Sequence, residues 1–142
     1  LLKVNDVEIA LSPGFRWGNT LLPGQTITYE DVMNHTAITY SNTHRRNLLG
    51  VEIKAILEDA ADNLFNKDPY YQQGGDMVRV GGMRFKCNPH AEFGQRISQM
   101  RLKNGDLLGA DKTYSVTSWA LVNQMAEGEV MSDVLVDYLK RQ

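Results

Sequence analysis

The sequence predicts an α+β fold, a mixed sheet packed with two to three helices, and three observations carry that prediction. Residues 50–65 repeat apolar side chains at helical spacing, and a second such pattern closes the chain at 130–141. The segments 77–80 and 83–87 instead alternate at strand spacing, 113–122 is rich in β-formers, and strands follow one another through the middle of the chain rather than each being followed by a helix. A single unit of 142 residues buries roughly two thirds of its unfolded surface, enough for one core.

The elements follow in order. Val7 to Ser12, "VEIALS", has the apolar and β-branched character of a buried strand, and Pro13-Gly14 ends it. A loop, "FRWGNTLLPGQT", leads to Thr28, which with Asp31 forms a capping pattern opening a short helix over "YEDVMNH". "AITY", residues 37–40, reads as a strand, and "THRRNLLG" as a segment of mixed character. In the helix Gly50–Phe65, Ile53, Ile56, Leu57, Ala60, Ala61, Leu64 and Phe65 share one face, while Glu52, Lys54, Glu58, Asp59 and Asp62 are read as the solvated side. "MVRV" and "MRFKC" are short strands separated by Gly81 and Gly82. Asn104-Gly105 between apolar runs predicts a two-residue hairpin turn. "TYSVTSWALV" is a strand with Tyr114, Val116 and Ser118 on one face, and "VMSDVLVDYLKR" is an amphipathic helix.

Fifteen basic against 17 acidic side chains give a net charge of −2, without the positive field that drives binding to nucleic acid. No run reaches the 18 or so apolar residues of a membrane span, so neither nucleic acid nor membrane is expected as a partner. Cys87 is the single cysteine, which rules out an internal disulfide. The opening "LLKVNDVEIALSPG" is read as the continuation of an element begun earlier, so the chain is expected to be a domain of a longer protein.

Tests for chemistry are mostly negative. His35, His44 and His90 are scattered, and "CNPH" supplies only Cys87 and His90, so no metal is expected on this chain. Ser12 lies in "LSPGF" rather than a nucleophile elbow. The stretch "GGDMVRVGG" lacks the GK[ST] of a phosphate loop; Gly74, Gly75 and Asp76 read as a turn and Gly81-Gly82 as a bulge or tight connection. Arg16, between Phe15 and Trp17 in the loop after the first strand, is the candidate for gripping an anion, because a guanidinium offers two parallel donors. Arg45 and Arg46 point to opposite faces of a strand, so at most one of them joins it. Trp17, Tyr40, Tyr70, Tyr71 and Trp119 are aromatics near turns or strand ends.

Four segments in series, "EIALSPGFRWG", "LLPGQTITYEDVMNHTAITY", "YYQQGGDMVRVGGMRF" and "GDLLGADKTYSVTSWALV", closely resemble the C-terminal domain of the SoxB branch of the 5′-nucleotidase family, the thiosulfohydrolases of sulfur oxidation. The resemblance covers nearly the whole chain. It implies that residues 1–142 are one substrate-binding domain whose N-terminal metallophosphatase domain, carrying two manganese ions, is absent from this sequence. It implies a periplasmic hydrolase that removes the terminal sulfonate, as sulfate, from a sulfane-cysteine on the mobile arm of the SoxYZ carrier. This domain alone is expected to be inactive and to contribute no catalytic residue. Arg16 is implied as the anion contact, with Trp17, Tyr40, Asp76 and Trp119 as further substrate-binding residues and Arg79 open between a functional and a structural role.

"SNTHRR" after Tyr40 departs from the glycine-containing segment of nucleotidases, and "WALVNQMAEGE" replaces their Phe and GGD loop. Both departures favour a channel for a protein arm, lined by Trp17 and Trp119, over a nucleoside clamp. The alternatives are a 5′-nucleotidase or related phosphoesterase domain, and a module that only docks the carrier.

Overall fold

The computed structural model describes residues 1–13, 20–120 and 128–142. Its elements are α1 (Leu2–Asn5), β1 (Ile9–Ser12), α2 (Tyr29–Thr36), β2 (Thr43–Leu49), α3 (Gly50–Phe65), a 3₁₀ turn (Pro69–Tyr71), β3 (Arg79–Gly81), β4 (Met83–Cys87), β5 (Ile97–Leu102), β6 (Thr113–Trp119) and α4 (Met131–Lys140). The fold is α+β, as the sequence predicts. A four-stranded sheet has the order β2-β6-β1-β3, and β4 and β5 form a separate two-stranded sheet. Strand β1 runs parallel to β6, while β2 is antiparallel to β6 and β3 antiparallel to β1. No helix among the described residues is long and apolar enough to cross a membrane.

The main core lies between the sheet and α3. Ile9 and Leu11 of β1, Leu48 of β2, and Tyr114 and Val116 of β6 meet Ile53, Leu57 and Ala61 of α3, with Met83, Ile97 and Met100 of the small sheet closing the cluster. The opposite face of the sheet is buried too. Ala10, Thr117 and Trp119 lie there, and Val134 of α4 is buried with them. Tyr114, Val116 and Ser118 do share a face, but Ser118 is only half-buried and Thr117 is fully buried behind them, because β6 is an inner strand covered on both sides.

Helix α3 has the predicted bounds, since β2 runs straight into it. Its first N–H groups are satisfied from outside: Gly50 donates to Lys112 O and Val51 to Ala110 O, while the Glu52 carboxylate reaches back to Leu49 N–H at 2.7 Å. Helix α2 opens on the predicted cap, with Asp31 N–H donating to Thr28 Oγ1 and Thr28 N–H to Asp31 Oδ2.

Several expectations need correction. The first strand starts at Ile9, not Val7, because a short helix turns through Asp6 and Glu8 is held by side-chain bonds to Ser115. Residues 37–40 are irregular and form no strand; α2 ends at Thr36, and Ala37 leaves it in an extended conformation just before β2. The whole of 43–49 is strand, bonded residue for residue to β6. The strand after the first glycine pair begins at Arg79 rather than Met77, and residues 73–78 are irregular rather than a turn, with Gly74 N–H bonded to Asn63 O.

The two β-runs around Gly81-Gly82 belong to different sheets, so Gly82 is the tight connection between them. Its φ is +78°, and a Cβ there would lie 1.9 Å from the Glu8 carbonyl oxygen. Asn104-Gly105 does make a hairpin, but with three loop residues. Leu102 N–H bonds Asp106 O, Gly105 N–H bonds Leu102 O, and only Gly105 has positive φ, the arrangement of an ordinary turn followed by a left-handed glycine.

Glu58 is the largest departure. Expected on the solvated face of α3, it is 3% exposed and accepts from three backbone N–H groups, Gly94 at 3.1 Å, Arg96 at 3.2 Å and Ile97 at 2.8 Å. One turn on, Asp62 meets the buried Arg96 guanidinium at 2.5 Å. The acidic row on α3 is therefore partly a clamp on the chain entering β5.

Candidate functional site

Strand directions bring four chain ends to one edge of the main sheet. The carboxyl ends of the parallel strands β1 and β6, at Ser12 and Trp119, lie together, and Trp119 Nε1 donates to Ser12 Oγ at 2.9 Å. Thr43, the first residue of β2, pairs with Trp119, and Arg79, the first of β3, pairs with Ser12. Connections at the end of a sheet are where binding side chains are displayed on a rigid scaffold.

Those of the sequence-predicted residues that the structure describes attach to this end. Arg16 and Trp17 lie outside the described residues, so the structure gives them no place. Tyr40 stands three residues before Thr43 and is half-exposed. Asp76 stands three residues before Arg79 and is exposed, a span of at most about 10 Å of chain. Trp119 is 7% exposed, so its indole contributes an inner wall rather than an open surface. Arg45 is exposed on β2 and Arg46 half-buried, on opposite faces as alternation requires.

A cavity of about 360 Å³ opens at this end, lined by Ser12, Pro13, His35, Thr36, Arg79, Trp119, Met131 and Leu135. It is mostly apolar, with an arginine and an imidazole at its wall, so it suits a small apolar group attached to an anion. His35 and Thr36 arrive on the last turn of α2, and Met131 and Leu135 on α4. Sequence reading missed these four because their placement depends on how the two helices pack; the one local signal was a histidine ending a capped helix.

The rim is secured by backbone. After the segment 121–127, Gly128 N–H bonds Thr43 O, Thr43 N–H bonds Glu129 O, and Met131 N–H bonds Ser41 O, so the chain returns against the start of β2. Asn42 Nδ2 donates to Gly128 O at 2.9 Å. Ala120, directly after β6, has φ +67°, a left-handed conformation uncommon for a residue with a Cβ, which turns the chain away from the strand. Beside this return, burial and then the charge of Arg46 push the His44 imidazole below its ordinary range, so it stays neutral at pH 7. Neither of its ring nitrogens has a hydrogen-bond partner among the described residues.

Among the described residues, no three His, Cys, Asp or Glu side chains are grouped so as to hold a metal ion. Cys87 is exposed on β4, away from this edge, and burial raises its thiol pKa, so it is not an activated thiolate. The described side chains at the sheet end set an arginine and an imidazole beside a mostly apolar wall. None of them forms a nucleophile-and-base pair.

The family described as "5′-nucleotidase, C-terminal domain" matches residues 2–133. No curated protein sequence gives a significant match. Among solved structures, the sulfate thiohydrolase SoxB of Thermus thermophilus, in complex with glycerol, is similar over 98% of this chain at 35% identity and a TM-score of 0.85. A putative 5′-nucleotidase from Staphylococcus aureus matches over 100% of the chain at 16% identity, TM-score 0.75. A 5′-nucleotidase precursor, also from Thermus thermophilus, matches over 99% at 19% identity, TM-score 0.71. The chain spans 27%, 32% and 30% of those three structures' own lengths.

Proposed function

We propose, from the premise that the chain belongs to the 5′-nucleotidase C-terminal domain family, that it is the substrate-binding domain of a periplasmic thiosulfohydrolase acting on the SoxYZ carrier. The intact enzyme would cleave the terminal sulfonate from a sulfane-cysteine on the carrier's arm and release sulfate. The observation that supports this reading over a nucleotidase is the 35% identity to SoxB along 98% of the chain, against 16% and 19% to the two nucleotidases. That the relatives are hydrolases supports hydrolysis by the intact protein.

In this reading the sheet end is the anion-facing wall. Arg16 grips the sulfonate with its two-pronged donor set, and Trp17, Tyr40 and Trp119 border the path of a thin peptide arm, with Asp76 at its margin. In this reading the two manganese ions would be held by an N-terminal metallophosphatase domain of the intact enzyme, and this domain contributes no step through them. The domain by itself is inactive.

The test offers the intact enzyme AMP and a sulfonated carrier under the same conditions. Sulfate release from the carrier with little phosphate release from AMP is the expected result; the reverse preference makes the protein a nucleotidase. In the same assay, Arg16→Lys should lower kcat/KM for the carrier at least about tenfold, because an ammonium keeps the charge and loses the fork geometry. Unchanged kinetics would remove Arg16 from the site.

A further inference from the structure

Charge in the sheet-end cavity has one sign. Among the described residues that line it, His35 and Arg79 are the ones that carry charge, both as cations, and none is a carboxylic acid. The acids of the two helices beside it are turned elsewhere. On α2, Asp31 Oδ2 accepts from Thr28 N–H at 2.7 Å and from Thr28 Oγ1 at 2.6 Å, and His35 acts on that carboxyl less than these bonds do. Glu30, also on α2, is exposed. On α4, Asp133 is exposed and sits midway between the lining residues Met131 and Leu135, which puts it on the other side of the helix, and Asp137 pairs with Arg141 at 4.0 Å.

The hydroxyls around the two cations are already bonded within the chain. Ser12 Oγ accepts from Trp119 Nε1 at 2.9 Å and donates to Pro13 O at 3.2 Å, and Thr36 Oγ1 donates to Val32 O at 2.8 Å. A ligand rich in hydroxyl groups, such as a sugar, would leave them unmatched against Pro13, Trp119, Met131 and Leu135. A stem of carbon and sulfur needs no such partners, and divalent sulfur packs well against an aromatic ring such as that of Trp119. The occupant that fits about 360 Å³ of this character is one slender apolar stem ending in an oxyanion.

We propose that protonated His35 and Arg79 together hold the sulfonate of the substrate while the apolar walls take its sulfane-sulfur stem, so that substrate binding is linked to uptake of a proton by His35. This inference rests on the proposed function and deepens it, adding two contacts to the anion assigned to Arg16 and making one of them sensitive to pH. An imidazolium attracts an anion and a neutral imidazole does not, so affinity rises as pH falls through the ordinary imidazole range, about 6 to 7. Arg79 stays charged throughout, and its share of the attraction does not vary with pH.

The probe is 1-propanesulfonate, a stem and sulfonate with no bond to cleave, titrated into the intact protein by ligand-observed NMR at about pH 6 and about pH 8. The parent should bind it at least about fivefold more tightly at the lower pH. His35→Gln, a neutral donor that is no poorer a helix former, should abolish that ratio, and His35→Lys should keep the tighter affinity at both pH values. Arg79→Met should weaken binding at both and leave the ratio in place. Methanesulfonate, two methylenes shorter, should bind at least about tenfold less tightly, since each buried methylene is worth about fourfold. Equal parent affinities at the two pH values, or a ratio that survives in His35→Gln, would overturn the proposal. Equal binding of the two sulfonates would overturn it too, leaving a surface ion pair without an apolar pocket. With the sulfonated carrier, KM should rise with pH in the parent and not in His35→Gln; a carrier KM indifferent to His35 while the probe behaves as expected would remove the substrate from the cavity. Should the intact enzyme hydrolyse AMP and not the carrier, the functional reading fails and the substrate assignment with it, while the probe titration, which needs no turnover, decides separately whether the cavity is an anion site.

Discussion

The clamp between α3 and β5 and the edge formed by Ser12, Thr43, Arg79 and Trp119 both depend on polar groups, in opposite ways. In the clamp, charged side chains are buried against fixed partners: Glu58 accepts three backbone N–H groups, and Arg96 bonds both Asp62 and the Phe65 carbonyl, while its Nε has no partner among the described residues. At the sheet end backbone bonds through Gly128, Thr43 and Glu129, joined by neutral side-chain bonds from Trp119 to Ser12 and from Asn42 to Gly128, fix the chain and leave the Asp76 and Tyr40 side chains on the surface. A buried charge that is satisfied fixes a loop in one geometry; exposed side chains on a fixed backbone can meet a ligand. Stability and recognition are thus assigned to different places, and mutations should separate them.

The largest effect should come from Glu58→Ala. It leaves three N–H groups in the interior without an acceptor, at a cost of about 4 kcal/mol in denaturant unfolding. Glu58→Gln, which keeps one carbonyl acceptor, should lose about half as much. Since no clamp residue lines the cavity at the sheet end, the residual folded enzyme should keep its kcat. A loss of kcat without a loss of stability would show that the two regions are not separate.

Asp62 gives the smaller, pH-dependent version of the same break. Its carboxyl is held below its ordinary range, first by the Asn66 amide at 2.8 Å and then by Arg96. A carboxylate with a lowered pKa in the folded state contributes stability that is complete above its unfolded pKa, near about 4, and is lost as pH falls through the lower folded value. Asp62→Asn should therefore flatten the decline in stability below about pH 4 and leave the shape of the curve from about pH 5 to 8 unchanged. Melting temperatures across that range and down to about pH 2 would check this, and an unaltered acid limb would show that the pair contributes nothing.

The same contrast explains what could be read from sequence. Helix α3 was legible to the residue, because its apolar spacing and its junction with β2 are local. The capping of α2 was legible for the same reason. Glu58 was not: its spacing on α3 is that of a solvated residue, and only the return of residues 94–97, some 36 to 39 positions later, buries it. The sheet end was half legible. Tyr40, read as the end of a strand, and Asp76, read as part of a turn, could be named, but the pairing of β2 with β6 and of β1 with β6, across some 70 to more than 100 residues, is what places them on a common edge with Trp119. Asn104-Gly105 signalled a hairpin and misled on its loop, since an Asn-Gly pair serves a three-residue turn as readily as a two-residue one.

The smallest effect tests whether the sheet end borrows rigidity from its neighbours. Helix α2 starts at a cap in which Thr28 and Asp31 exchange hydrogen bonds, and its last turn carries His35 and Thr36 to the cavity beside Trp119. Thr28→Ala removes the acceptor for Asp31 N–H and should cost about 1 kcal/mol. The helix is eight residues long and packs against α4, so its far turn should stay in place, anchored by the buried Val32 and by Thr36 Oγ1 donating to Val32 O at 2.8 Å. Substrate affinity of the intact enzyme should then change less than about twofold while the unfolding midpoint falls. A larger loss of affinity than of stability would mean that the cap, and not the packing on α4, sets the position of His35.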